Sequence, residues 1–342
     1  MRVAMYYNNS DVRVEELPTP KIGPGELLVK IEASGICGSD VMEWYRIHKA
    51  PLVLGHEIAG TIVEVGDGVT QYKIGDRIAA AHHVPCDQCH YCLTDNETAC
   101  NTLRSTSFDP GGFAEYLRMP AINVKRGVFL IPDNVSFDEA TFVEPLACVL
   151  RGQRKATFKE GQSVLVLGCG MAGLLHVHLA HAMGASKVIA TDIVDYRLDA
   201  AKRLGASDVI NANDFAPERL RELNDGRLAD LVIVCTGVPA VFQQSLKLVE
   251  RGGTILIFAL TRDDVSLSIP INEFFSRNEV TLTTSYAGSP DDYQQALDLI
   301  ATHRVDVKNI ITHRLSMEEA RQGFALVAKA EDCLKVIIEP QR

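Results

Sequence analysis

Hydrophobic and polar positions follow two different rhythms along the chain. Apolar side chains recur at every second position over residues 3–7, and the runs 27–32 and 58–65 have the same strand character. Glycine and proline turns separate these runs. The pattern predicts a mostly antiparallel, barrel-like domain over residues 1–150.

From residue 163 the rhythm changes to short apolar runs that alternate with helical patterns. Such alternation predicts a doubly wound parallel sheet over residues 151–285, and therefore an α/β fold. The tail over residues 286–342 is predicted to return to the first domain. The runs that predict the parallel strands are 164–167, 187–191, 231–235, 254–258 and 280–284.

Composition and charge narrow the class of protein. A length of 342 residues suits two domains, and 46% hydrophobic with 23% charged residues is typical of a soluble globular chain. The net charge of -10, with no long basic run, argues against a nucleic-acid partner. The longest apolar stretch, 164–183, contains three histidines, so we expect no membrane span. With no signal peptide visible, we expect a cytoplasmic protein that acts on a small molecule.

Four of the nine cysteines fall within fifteen residues at metal-ligand spacing, C-x2-C-x2-C-x7-C. A tetrahedral zinc ion takes four such thiolates, and a set made only of cysteines leaves no position open. The spacing therefore predicts a structural zinc site. An iron–sulfur cluster is the competing interpretation, but Asn101 stands where such runs usually have proline. The predicted ligands are Cys86, Cys89, Cys92 and Cys100.

A second group of candidate ligands lies earlier in the chain. Cys37, His56 and Glu57 offer a thiolate, an imidazole and a carboxylate, which suits a catalytic zinc with one open position. Glu144 is a further carboxylate that either binds this ion or holds its water. Ser39 is the candidate proton relay. Each of these residues alone is weak evidence, and their weight comes from occurring together.

A glycine motif, G-x-G-x-x-G, follows the apolar run 164–167 and opens a helical pattern. That context is typical of a dinucleotide-binding turn. The first glycine permits the tight turn, the second lets a pyrophosphate approach the backbone, and the third lets helix and strand pack closely. The predicted cofactor-binding residues here are Gly168, Gly170, Met171, Ala172 and Gly173.

An acidic residue after the next strand favours NAD as the cofactor. The carboxylate of Asp192 is placed to accept hydrogen bonds from the adenosine ribose and to repel a 2′-phosphate. Arg197, five residues later, either lies along the adenine or reaches a phosphate. Strand, glycine turn, helix and acid together predict an NAD site.

Taken together, these motifs resemble the zinc-containing medium-chain alcohol dehydrogenase family, and within it the sorbitol (polyol) and threonine dehydrogenase branches. The resemblance covers nearly the whole chain. It implies a GroES-like catalytic domain with an inserted Rossmann domain, two zinc ions per chain, hydride transfer from a secondary alcohol to NAD, and a dimer or tetramer. The matching segments are 37–40, 55–57, 86–100, 111–116, 144–146 and 168–173.

Two positions depart from the family pattern. Many relatives have a histidine that extends the proton relay where this chain has Met42. The relay is therefore expected to end at Ser39 or to continue through His48 or water, and the threonine dehydrogenase interpretation is weakened. Ser285 stands where animal-type sorbitol dehydrogenases have an arginine, which puts a sorbitol-type hydroxyl clamp in doubt.

The leading hypothesis is reversible oxidation of a polyol or sugar-derived secondary alcohol to a ketone. The first alternative is oxidation of threonine or another amino alcohol. A non-catalytic protein that binds NAD and zinc is a further alternative, and zinc-free reduction of an enone is the last.

Overall fold

The computed structural model describes residues 1–330 and 332–342, which form two compact units. Residues 1–147 and 287–342 form one unit, here called the β-rich unit, and residues 148–286 form the parallel-sheet unit. The boundaries follow residues 147 and 286, where the sequence predicted 150 and 285. In the described part of the chain no helix is long and apolar enough to cross a bilayer.

Strands occur throughout both units. In chain order they are β1 (Arg2–Asn8), β2 (Asp11–Glu16), β3 (Leu27–Gly35), β4 (Leu52–Val53), β5 (Glu57–Val65), β6 (Arg77–Ala80), β7 (Tyr116–Met119), β8 (Val128–Leu130), β9 (Ser163–Leu167), β10 (Lys187–Asp192), β11 (Asp208–Asn211), β12 (Ala229–Val234), β13 (Val249–Ile257), β14 (Thr281–Thr284), β15 (Ile311–Ser316) and β16 (Lys335–Glu339).

Helices are short in the β-rich unit and longer beside the parallel strands. In chain order they are α1 (Glu43–Arg46), α2 (His90–Leu93), α3 (Asn101–Ser105), α4 (Ala121–Arg126), α5 (Phe137–Ala140), α6 (Val143–Lys155), α7 (Met171–Ala182), α8 (Asp195–Arg203), α9 (Pro217–Leu223), α10 (Pro239–Ser245), α11 (Pro290–Ala301) and α12 (Ala320–Lys329).

The β-rich unit contains a seven-stranded sheet in the order β15-β16-β3-β5-β6-β8, with β7 also paired to β3. Most neighbours are antiparallel, as the alternating pattern predicts, and β15 with β16 is a parallel pair. The tail of the chain supplies β15 and β16, so it returns to this sheet. A core of Leu27, Ile31, Ile58, Ile62 and Ile78 lies on one face of it.

The parallel-sheet unit contains six strands in the order β11-β10-β9-β12-β13-β14, all paired in parallel. The strand β9 is buried at every position because helices cover both faces of a doubly wound sheet. Its carboxyl end meets the glycine motif, which is where such sheets bind nucleotides. This mixed α/β architecture agrees with the predicted fold class.

Candidate active site

The four clustered cysteines converge in the lobe formed by α2, α3 and the turns around them. Their sulfur atoms all lie within 4.8 Å of one another. The Sγ–Sγ distances are 4.0 Å for Cys86–Cys92, 3.5 Å for Cys89–Cys92 and 3.6 Å for Cys86–Cys100. A tetrahedron with Zn–S bonds of ~2.3 Å has edges of about 3.8 Å. The cysteine lobe therefore has the dimensions of a closed zinc site.

The acidity of one of these thiols, Cys100, supports the same interpretation. Burial raises the pKa of Cys100, but hydrogen bonds from the backbone N–H groups of Leu103 and Cys86 outweigh burial, so the pKa is lowered to about 6. Because the thiolate is the form that binds zinc, this environment prepares Cys100 as a ligand.

Strand pairing places the second set of candidate ligands. Cys37 follows β3, and His56 directly precedes β5. The antiparallel pairing puts Gly35 opposite Glu57, so the end of one strand faces the start of the other. As a result, ligand atoms of Cys37, His56 and Glu57 lie within 4.8 Å of one another.

A third strand brings a cation to the same place. The pairing of β16 with β3 sets Ile337 opposite Gly35, and Lys335 lies two residues earlier. The Nζ of Lys335 contacts Oε2 of Glu57, and both side chains are fully buried. The other oxygen, Oε1 of Glu57, is buried without a hydrogen-bond partner in the described structure. An unpartnered buried oxygen beside a thiol and an imidazole is the donor that a cation would complete.

The glycine at position 35 makes room for this ion pair. A Cβ atom there would lie 2.3 Å from Oε2 of Glu57 and 2.6 Å from Cε of Lys335. Neither side chain has free space to retreat into, because both are buried. The position therefore requires glycine for close approach and not for backbone conformation.

Asp40 orients the candidate histidine ligand. Its Oδ1 lies 3.5 Å from Nδ1 of His56, and its Oδ2 accepts a hydrogen bond of 3.1 Å from the backbone N–H of Cys37. Burial lowers the pKa of His56, but the charge and hydrogen bond of Asp40, with a smaller contribution from Cys37, raise it well above its ordinary value. With the Nδ1 proton directed at Asp40, Nε2 is the nitrogen left to bind a metal.

Ser39 is held by an arginine on α1. Arg46 donates through Nη2 to Oγ of Ser39 at 3.1 Å and through Nε to its carbonyl oxygen at 3.0 Å. An arginine only donates hydrogen bonds. The hydroxyl hydrogen of Ser39 is therefore free to point to another acceptor.

Two histidines of the loop after β6, His82 and His83, lie beside His56. The ring centroid of His82 is 4.9 Å from that of His56 and 3.9 Å from that of His83. The Nδ1 of His83 is 2.8 Å from the carbonyl oxygen of Thr106. Burial lowers the pKa of His83, the Thr106 carbonyl raises it in part, and the charges of His56, Arg46 and Lys49 lower it further, to about 4.

Three other residues that the sequence singled out are not among these converging ligands. Glu144 is buried in the first turn of α6 and is not among the residues whose ligand atoms converge on Cys37. Met42 lies between the short turn after Cys37 and α1, and His48 is exposed. Lys335, Arg46 and His82 are functional candidates that the sequence missed, since no local motif marks them. Asp40 lies in the matching segment 37–40, but its role toward His56 was not predicted.

The glycine motif has the predicted form in the parallel-sheet unit. Gly168 adopts φ of +96°, and Gly170 is the residue that caps the amino end of α7, so Met171 and Ala172 form the first turn of that helix. A Cβ at Gly173 would lie 1.9 Å from the carbonyl oxygen of Gly168, whereas one at Gly170 would meet nothing within 4 Å. The backbone is therefore open beside the helix terminus, as a pyrophosphate requires.

Asp192 connects β10 to this loop. Its Oδ2 accepts a hydrogen bond of 2.7 Å from the N–H of Cys169, and its Oδ1 accepts one of 2.9 Å from the N–H of Val194. Nη1 of Arg197 is 3.9 Å from Oδ2, and its buried Nε has no hydrogen bond within the described residues. A carboxylate oxygen accepts two hydrogen bonds, so each retains capacity for a ribose hydroxyl.

Comparison with known proteins matches two family models to successive parts of the chain. Residues 23–133 match the alcohol dehydrogenase GroES-like domain, and residues 172–302 match the zinc-binding dehydrogenase domain. The chain belongs to the zinc-containing medium-chain alcohol dehydrogenase family. The β-rich unit contains the GroES-like domain of this family, and the parallel-sheet unit is its Rossmann-type domain.

Similar members of this family act on different alcohols. The sorbitol dehydrogenase of Bacillus subtilis (strain 168) is 33% identical over 100% of this chain and 98% of its own. The L-threonine 3-dehydrogenase of Bacillus licheniformis is 35% identical over 95% of this chain and 94% of its own. A crystal structure of a putative zinc-binding dehydrogenase from Sinorhizobium meliloti 1021, bound to NADP, has a TM-score of 0.87 and 28% identity, and 99% of each chain is covered.

Proposed function

We propose that the protein catalyses the reversible, NAD-linked oxidation of a polyol or sugar-derived secondary alcohol to a ketone. The observation that carries the proposal is the convergence of Cys37, His56 and Glu57 within 4.8 Å. In the balanced reaction, the carbinol carbon gives a hydride to NAD, the hydroxyl loses a proton, and ketone, NADH and a proton are formed.

The residues present fit a zinc ion in both places. Cys37, His56 and Glu57 would hold the catalytic ion, with Glu144 as a further ligand or as the group that holds water, and the cysteine lobe would hold the structural ion. When bound, zinc supplies a Lewis acid and NAD supplies the hydride acceptor. The unpartnered Oε1 of Glu57 is the oxygen that the ion pair with Lys335 leaves available.

The chain's own side chains orient the ligands and move the proton. Asp40 fixes the ring of His56, since a carboxylate on the far nitrogen sets both tautomer and direction. Oγ of Ser39 accepts a hydrogen bond from Arg46, which fixes the position of the oxygen and leaves its hydrogen to be donated elsewhere. Arg46 cannot accept a proton, so a proton that reaches Oγ of Ser39 leaves through water and not along α1.

NAD is the proposed cofactor because Asp192 places a carboxylate at the loop that receives the adenosine ribose. The NADP bound by the Sinorhizobium protein shows that this fold also admits a 2′-phosphate, and Arg197 is the group that would meet one. Asp192→Ser is expected to weaken NAD binding and to raise the affinity for NADP relative to that for NAD. Titrations with NADH and with NADPH measure the two affinities. An unchanged ratio would contradict the assignment.

The alternative substrate is threonine or another amino alcohol. The similarity to L-threonine 3-dehydrogenase favours it, whereas Met42 at the relay position does not. Initial rates with NAD on polyols, inositols, sugar acids and threonine separate the two. Threonine turnover far above every polyol and sugar acid would replace the polyol proposal.

Metal analysis and one variant test the chemistry itself. We expect two zinc ions per chain, and Cys37→Ser should remove one of them together with NADH production. Cys148→Ser, outside both ligand sets, is the control that should retain both ions and activity. One zinc in the wild-type protein would favour the enone-reductase alternative, and unchanged turnover by Cys37→Ser would rule out the proposed chemistry.

Two further expectations accompany this function. Four clustered thiols at metal-ligand distances suit the reducing cytoplasm that we propose as the location. A homodimer or homotetramer remains a prediction, and sedimentation equilibrium of the zinc-loaded protein tests it.

A further inference from the structure

Two cations share one aromatic ring next to the candidate metal ligands. The guanidinium carbon of Arg46 lies 4.8 Å from the ring centroid of Tyr45, and Nζ of Lys49 lies 5.7 Å from the same centroid. We call Arg46, Lys49 and the Tyr45 ring between them the cationic patch. Tyr45 is 38% exposed and Lys49 is exposed, so the patch is open to a ligand.

The cationic patch is connected directly to the catalytic residues. Arg46 is 15% exposed and donates to both the hydroxyl and the carbonyl oxygen of Ser39. Its Nη1 has no hydrogen bond to any residue that the structure describes, so part of the guanidinium fork is unused. Five donors in a rigid plane are more than Ser39 and Asp40 consume.

The nearby carboxylates neutralise the cationic patch only in part. Asp40 is fully buried and is shared among Arg46, His56 and the N–H of Cys37. Glu43, on the same helix as Arg46, accepts a hydrogen bond of 3.1 Å from the N–H of Asn9 in the turn after β1. Within the described ranges no carboxylate forms an ion pair with Lys49.

The histidine pair locates the patch relative to the metal ligands. His82 packs on His56, and His83 packs on His82. The charges of Arg46 and Lys49 both act on His83. The two cations and His56 therefore all lie close enough to His83 for their charges to act on it. This local concentration of positive charge contrasts with a net charge of -10 for the whole chain.

We propose that the cationic patch binds a carboxylate or phosphate carried by the substrate, so that the alcohol oxidised is an anionic polyol. This inference rests on the proposed function and specifies its substrate class as sugar acids or polyol phosphates. Arginine matches both groups because its planar fork donates two parallel hydrogen bonds to two oxygens. Lys49 adds a second charge from the other side of Tyr45.

Matched substrates test the class. Initial rates are measured on the zinc-loaded protein with NAD for two series, xylitol, xylonate and xylitol 5-phosphate, and glucitol, gluconate and glucitol 6-phosphate. At least one anion is expected to exceed its neutral counterpart about tenfold or more in kcat/KM, as one charge-assisted hydrogen bond supplies about 1.5–3 kcal/mol. Comparison of carboxylate with phosphate identifies which group the patch binds. Calorimetric titration of the same anions into the NADH complex measures binding without turnover.

Variants separate the patch from the catalytic residues. Lys49→Gln is expected to raise KM for the anion about fivefold with little change in kcat, since a partly exposed charge contributes about 1 kcal/mol. Arg46→Lys should raise the KM for the anion further, because a lysine ammonium cannot bridge Ser39 and the ligand. Lys73→Gln removes another exposed lysine of the β-rich unit and should leave both constants unchanged.

The outcomes distinguish this inference from the proposed function. If neutral polyols are turned over better than both anions and Lys49→Gln leaves KM unchanged, the inference is wrong and the polyol dehydrogenase function stands. If nothing in the panel is turned over but an anion binds and Lys49→Gln weakens its binding, the patch is an anion site and the proposed reaction is wrong. If no compound of the panel is turned over and no anion binds, both the inference and the proposed function are wrong.

Discussion

The buried ion pair between Lys335 and Glu57 makes the replacement Lys335→Met a sharp test of how the site is stabilised. Both side chains are fully buried, and Oε1 of Glu57 already has no hydrogen bond in the described structure. Methionine approximates the volume of lysine and removes only its charge. In the zinc-free protein, which is the form to be unfolded, the variant therefore leaves a buried carboxylate with no cation on either oxygen.

The expected loss is large. Removing one partner of a buried pair typically costs about 3–5 kcal/mol, because the remaining charge stays desolvated. Folded domains are stable by only about 5–15 kcal/mol, so this one change removes a substantial share of the free energy of unfolding. In urea we expect the midpoint to fall by more than about 1 M.

The single tryptophan gives a convenient assay. Trp44 is the only tryptophan in the chain and lies in the β-rich unit, the same unit as the ion pair. Its fluorescence therefore reports unfolding of that unit separately from the parallel-sheet unit. Lys30→Met is the matched control, because Lys30 pairs with Glu32 at 3.1 Å with both side chains partly exposed. Lys30→Met should lower the free energy of unfolding by less than about 1 kcal/mol.

A double variant decides the interpretation. Glu57→Gln combined with Lys335→Met removes both charges and should recover most of the stability lost by Lys335→Met alone. If Lys335→Met loses no more than the Lys30→Met control, the ion pair does not stabilise the unit. If the double variant is less stable than Lys335→Met, the loss arises from packing and not from an uncompensated charge.

Three further changes test other parts of the structure. Cys100→Ser should lower the zinc content by one ion per chain in elemental analysis, whereas Cys148→Ser should leave it unchanged. Equal zinc contents in the two variants would show that Cys100 is not a zinc ligand. Gly35→Ala should destabilise the β-rich unit by about 1–3 kcal/mol in the tryptophan assay, because its Cβ would overlap Glu57; an unchanged midpoint would contradict the close approach. Burial lowers the pKa of His176 to about 3, below the unfolded value of about 6.5, so stability is lost as the pH falls below about 6.5 and continues to fall toward 3. By pH 5 the loss is about 2 kcal/mol, so the protection factors of the α7 amides, which correct for the slower intrinsic exchange at low pH, should fall between pH 7 and 5 in the wild type and less in His176→Gln; an equal fall would exclude this histidine as the cause.

Local patterns account for the parts of the fold that sequence reasoning reached. The strand β9, the glycine turn and α7 are each encoded by neighbouring residues, and all three appear where the pattern placed them. The four cysteines of the cysteine lobe also lie close in sequence, so spacing alone predicted that they converge.

Residues brought together by strand order escaped prediction. Lys335 meets Glu57 across 278 positions, and only the pairing of β16 with β3 reveals the contact. His82 resembled an ordinary loop histidine because its ring contact with His56 depends on how β5 and β6 align.

The discontinuous construction of the β-rich unit has a consequence for biosynthesis. Because Lys335 is made 278 residues after Glu57, the ribosome needs about 14–56 s to supply it at 5–20 residues per second. During that time the parallel-sheet segment, 148–286, is complete and free to fold. Until the last strand, β16, emerges from the ribosome, Glu57 cannot form its ion pair with Lys335. A chain released before residue 335 therefore lacks the lysine that pairs with this carboxylate, and full-length translation becomes a condition for forming the ion pair.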